Sequence, residues 1–134
     1  MTKILFKTFN KLLFIYSFGI LAAENNKELA LNHFMQGEFL MNQGNYAMAI
    51  LEFQDAIELD PNASTIHVSL ADGYRRIGKL SKAENHLGIA LELDSEEIEA
   101  LEMLGQIFLS QKRYLEAKKT YLDLIDLDLS LIHI

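Results

Sequence analysis

The sequence predicts an all-α fold: a solenoid of three stacked helix-turn-helix hairpins, preceded by an N-terminal apolar helix. Three observations carry this. The stretch GNYAMAILEFQDAIELDPN over residues 44–62 returns as GKLSKAENHLGIALELDSE from Gly78 and as KRYLEAKKTYLDLIDLDLS from Lys112, at one spacing of 34 residues. A fixed period of that size marks a repeat array. Small residues recur with it at Gly37, Ala71 and Gly105 and at Ala49, Ala83 and Ala117, and large ones at Leu40, Tyr74 and Phe108, at Tyr46, Leu80 and Tyr114, and at Phe53, Leu87 and Tyr121. Small positions let two helices approach, and the large ones fill the space between them. Finally, Pro61 is the single proline, so long stretches are free to be helical.

Taken in order, residues 1–23 begin with Lys3, Lys7 and Lys11, continue into an apolar run over 12–23 and end in Ala22 and Ala23. That order matches an export signal, and the run is short for a full membrane span. Ile4, Leu5, Phe6 and Phe9 extend the apolar character backwards, so an uncleaved anchor is the other form this segment could take. The expected organisation is a signal peptide or membrane anchor over 1–23, a linker over 24–29, hairpins over 30–63, 64–97 and 98–128, and a non-native tail over 129–134. The tail, LSLIHI, resembles one reading frame of a transposon-end adapter used in preparing DNA libraries, and the natural chain is expected to continue past Asp128.

Within each hairpin, Gly44 and Gly78 suit the left-handed position that ends a first helix, and Lys112 occupies the matching place in the third. Asp94 with Glu97 three residues on is expected to form a capping box at the start of the next helix. Helices of about 13–16 residues are marginal alone, so stability must come from stacking neighbours.

This pattern resembles the tetratricopeptide repeat family, from Ala30 to about Asp128. The resemblance implies a right-handed α-solenoid whose first helices line a concave groove for an extended peptide or a partner helix. Matching positions assign Leu31, Phe34, Glu38, Met41 and Asn42 from the first unit and Thr65, Val68, Asp72, Arg75 and Arg76 from the second. The third contributes Glu99, Glu102, Gln106, Leu109 and Ser110. Arg75 and Arg76, the cations of that face, would meet an acidic side chain or a terminal carboxylate, unless they pair with Asp72 or with neighbouring glutamates on a solvated helix. One branch of the family clamps the C-terminal carboxylates of heat-shock chaperones with lysine, asparagine and arginine. Phe34, Glu38, Ser69, Glu99 and Met103 stand at those positions here, which argues against that role.

Composition narrows the remaining classes. Half the residues are hydrophobic and 23% charged, which excludes disorder by composition. The net charge is −7, and no lysine or arginine lies between Lys27 and Arg75, so nucleic acid is not an expected partner. There is no cysteine, hence no disulfide and no thiolate site. His33 and His67 are equivalent positions expected to pack within hairpins, and His86 is expected to be exposed. Glu52, Asp55, Glu58 and Asp60 are expected on a solvated outer face. No phosphate loop or nucleophile motif is present, so no cofactor, metal or enzyme activity is expected. The expected function is a protein-binding scaffold, exported to a cell-envelope assembly, touching membrane only through residues 1–23. Self-association through the last repeat, or service as the adaptor part of a longer enzyme, are the alternatives.

Overall fold

A computed structural model describes the backbone of residues 2–132; residues 1, 133 and 134 and the side chains of residues 2–12, 14 and 131, among them Lys3, Ile4, Leu5, Phe6, Lys7, Phe9 and Lys11, lie outside the described part. Six helices follow one another: α1 (Thr2–Asn42), α2 (Tyr46–Leu59), α3 (Ser64–Arg76), α4 (Leu80–Leu93), α5 (Ile98–Ser110) and α6 (Tyr114–Ile132). They pair as hairpins α1/α2, α3/α4 and α5/α6, with α2 against α3 and α4 against α5. No strand occurs among the described residues.

The turns inside the hairpins repeat as the sequence does. Gly44 and Gly78 have φ of +76° and Lys112 has φ of +60°. In each turn the residue after this position donates its N–H to a carbonyl five back: Asn45 to Leu40 at 2.9 Å, Lys79 to Tyr74 at 2.9 Å, Arg113 to Phe108 at 2.8 Å. The left-handed residue itself bonds three back, to Met41, Arg75 and Leu109. These paired bonds satisfy carbonyls that the helix end leaves open. A left-handed conformation costs an L-residue about 1–2 kcal/mol, part of which glycine gives back through its greater freedom in the unfolded chain. Lys112→Gly is therefore expected to stabilise the protein by about 0.5–1 kcal/mol. The denaturation midpoint should rise at unchanged slope.

Packing follows the small-large pattern. A Cβ built on Gly37 would lie 2.4 Å from Cε1 of Phe53, and one on Gly105 would lie 2.7 Å from Cζ of Tyr121. Ala71 and Leu87, the equivalent pair in the middle hairpin, are both fully buried, as are Ala49, Phe53 and Ala83. Successive hairpins meet where Gly73 faces Ile50, whose Cγ1 lies 2.9 Å from the position a Cβ would take. One contiguous cluster runs from Ala49 to Ile107 through all three hairpins.

The backbone of α1 is helical from Thr2 to Asn42, straight through 24–29. No glycine or proline lies between Gly19 and Gly37, so nothing in that interval breaks the helix. The side chains over 15–29 are exposed, and Ala30 is the first buried one among the described residues of α1. No helix among the described residues is long and apolar enough to cross a membrane.

Three expectations need correction, and the first is the capping box. Glu97, not Asp94, occupies the N-cap of α5, and no side-chain cap bond forms there. Asp94 instead ends α4, and its Oδ1 accepts the Glu96 N–H at 3.0 Å, closing the turn between hairpins.

The second is His86, which is half-buried. Its ring lies between those of His67, 5.5 Å away, and Tyr74, 5.7 Å away. His67 is buried, its Nε2–H donating to the Pro61 carbonyl at 3.1 Å. That leaves Nδ1 of His67 as the acceptor for Nδ1–H of His86, at 3.2 Å. Burial, then the facing His67, then Lys82 hold the His86 pKa below its ordinary value. The unfolded chain binds more protons in this window, so stability falls as pH drops through about 6.5. The thermal midpoint is expected to decline between about pH 7 and pH 5.5, and less steeply in His86→Gln. Equal slopes would contradict this account of the pair.

The third concerns Glu52, which is not on a freely solvated face. It is half-buried and bonds Nδ1 of His33 at 2.8 Å, tying α1 to α2 at the place where His67 meets His86 one repeat later. Asp55, which is exposed, lies with these two in a trio whose ligand atoms fall within 4.8 Å of one another.

Candidate functional site

The first helices of the three hairpins carry the candidate site. Helices α1, α3 and α5 stand side by side, and a trough runs across them in two joined parts. The wider part, about 450 Å³, is lined by Phe34, Glu38, Met41 and Asn42 of α1, Tyr46 of α2, Thr65, Ser69, Asp72 and Arg76 of α3, and Glu99 of α5. The narrower part, about 220 Å³, continues over Asp72, Arg75, Arg76, Glu99, Glu102, Met103 and Gln106. Asp72, Arg76 and Glu99 belong to both, so the two form one groove.

Most residues assigned from register lie in it: Phe34, Glu38, Met41, Asn42, Thr65, Asp72, Arg75, Arg76, Glu99, Glu102 and Gln106. Four do not. Val68 shares the register of Phe34 and Glu102, yet in the middle hairpin its short side chain is covered on both flanks and is only 2% exposed. Leu31 and Leu109 are exposed at the outer edges of α1 and α5, where no further helix among the described residues builds a wall beside them. Ser110 is exposed, its hydroxyl donating to the Ile107 carbonyl at 2.7 Å. Tyr46 is the residue that register missed. It fills a packing position in the repeat pattern, but the tight turn at Gly44 brings the first residue of α2 up beside Asn42 at the groove mouth.

The electrostatics are dominated by carboxylates. Asp72 holds both arginines: Arg75 donates from Nε at 3.0 Å and from Nη2 at 2.5 Å, and Arg76 from Nε at 3.4 Å. The Arg76 guanidinium also lies 5.9 Å from the centre of the Tyr46 ring. Burial pushes the Glu99 carboxyl above the usual range, and the negative charges of Glu97, Asp72, Glu38 and Glu102 add to it. An acidic side chain or terminal carboxylate would therefore find both arginines already engaged.

Comparison with known proteins settles the family. Two tetratricopeptide repeat family models match, over residues 21–63 and residues 68–128. The chain belongs to the tetratricopeptide repeat family. Among solved structures, the first tetratricopeptide domain of Spaghetti (RPAP3), bound to the HSP90 peptide SRMEEVD, is 26% identical, with a TM-score of 0.73 over 75% of this chain and 80% of that one. The second such domain of the same protein, bound to the same peptide, is 25% identical, with a TM-score of 0.74 over 78% of this chain and 97% of that one. The Arabidopsis OM64 tetratricopeptide domain shares the fold at 20% identity, with a TM-score of 0.75 over 78% of this chain and 87% of that one. No curated protein matches the sequence. In this tetratricopeptide chain the groove is assembled from all three repeats, so its shape depends on their stacking.

Proposed function

We propose that the protein is a non-catalytic scaffold whose groove holds an extended segment of a partner protein. The observation that carries this is the groove itself, a continuous trough with walls from α1, α3 and α5, apolar at Phe34, Met41 and Tyr46 and polar along the rest. Asn42, Thr65, Ser69 and Gln106 can exchange hydrogen bonds with an extended backbone, which the apolar end then anchors. The two relatives solved with a peptide support the reading, since their fold is the one found here. Their ligand does not transfer with it. All five positions matching the chaperone clamp, Phe34, Glu38, Ser69, Glu99 and Met103, line this groove, and none is a cation.

A photoreactive residue placed at Thr65, and separately at Glu58 on the outer face of α2, tests the proposal in cells that make the full chain. Adducts are expected from position 65 and not from 58. Adducts from 58 alone would contradict it.

The export reading belongs to the same proposal: the basic start, apolar run and alanine end of residues 1–23 would deliver the scaffold to an envelope assembly. Fractionation is expected to place the protein in the envelope, and a wholly cytosolic location would overturn that part. A second reading, self-association, is favoured by Leu115, Leu122 and Ile125, all exposed along α6. A particle size independent of concentration would remove it.

A further inference from the structure

We infer that the segment held by the groove is cationic, a lysine or arginine side chain entering the trough between α1 and α5 with an apolar neighbour on the Phe34, Met41 and Tyr46 wall. The inference rests on the groove reading above and adds the chemistry of the occupant. Carboxylates reach the trough from three helices: Glu38 on α1, Asp72 on α3, Glu99 and Glu102 on α5. Against them stand only Arg75 and Arg76, and both are bonded to Asp72. No ion pair to Glu38, Glu99 or Glu102 forms among the described residues. The groove therefore holds three unpaired carboxylates that repel one another beside an Asp72–Arg75–Arg76 cluster of net charge +1, and the balance of the lining stays negative.

That arrangement has a cost in the empty protein, and the Glu99 carboxyl, pushed up by burial and by its acidic neighbours, registers it. An ammonium or guanidinium in the trough relieves the repulsion and supplies the missing donors. An acidic segment adds to the repulsion, and both arginines that it would meet are already bonded to Asp72. The apolar wall lies at the α1 end of the same trough, so charge and apolar contact lie side by side along one bound chain. The net charge of −7 acts in the same direction at longer range.

A display library of random peptides of about twelve residues, selected on the full chain, supplies the test. Enriched peptides should carry lysine or arginine beside an aliphatic or aromatic residue. Their binding should weaken about tenfold or more between ~0.05 M and ~0.5 M salt. The triple variant Glu38→Gln, Glu99→Gln, Glu102→Gln should lose about tenfold or more of the affinity. Asp72→Asn releases Arg75 and Arg76 and should increase binding of a glutamate-substituted version of the best peptide, a gain that damage to the fold cannot mimic. Enrichment of acidic peptides that compete within the groove would overturn the charge assignment and leave the groove reading intact. Peptides whose footprint falls outside α1, α3 and α5 would overturn both.

Discussion

Phe53→Ala is expected to cost about 3–5 kcal/mol, the largest loss any single side-chain truncation should cause here. Phe53 is fully buried, lies 6.0 Å ring to ring from Phe34, and fills the space opposite Gly37. Truncation would leave a cavity that the surrounding helices cannot close without breaking the contacts of α1 with α2. Small domains are stable by only about 5–15 kcal/mol, so the change removes much of the margin. It also reaches the site, because Phe34 rests on Phe53 and forms the apolar wall of the groove. Chemical denaturation should show the lost midpoint, and peptide binding should weaken with it. A shift worth less than about 1 kcal/mol would mean that Phe53 does not hold the first hairpin together.

The second large effect comes from adding volume at the same crossing. Gly37→Val places a Cβ where the Phe53 ring now lies, 2.4 Å from its Cε1, and overpacking of this kind costs about 1–3 kcal/mol or more. Gly105→Val meets Tyr121 at 2.7 Å, but that ring is only half-buried and can swing outward, so its cost should be smaller. The order is the test. Combining Gly37→Ala with Phe53→Leu should cost less than the sum of the two singles, because each change relieves the strain or void left by the other. Strict additivity would show that the two positions do not share one space.

These effects were legible in the sequence because a repeat states its packing more than once. Gly37 and Phe53, Ala71 and Leu87, Gly105 and Tyr121 differ in size but keep one register, and the structure places each pair across one hairpin. The turn positions were equally legible: Gly44, Gly78 and Lys112 adopt positive φ in turn, the lysine without the glycine that would make it easy. The groove followed from register for most of its lining. Register failed where neighbours decide exposure. Val68 is covered because hairpins stand on both sides of it, while Leu31 and Leu109 lack that company. His86 is covered by contact with His67 and Tyr74, which one helix considered alone does not show. The fate of Arg75 and Arg76 also needed coordinates. Asp72 sits three and four residues before them, a spacing that permits pairing, and only the geometry shows one carboxylate holding both.

Backbone hydrogen exchange on the full chain, with and without the tightest peptide from the library selection, measures the central claim most directly. A segment lying across the groove is expected to slow exchange in residues 34–42 of α1, 65–76 of α3 and 99–106 of α5 together. Helices α2, α4 and α6 should change little beyond their first turns. Slowing confined to α2, α4 and α6, or to the exposed stretch of α1 before Ala30, would contradict the assignment of the groove as the binding site.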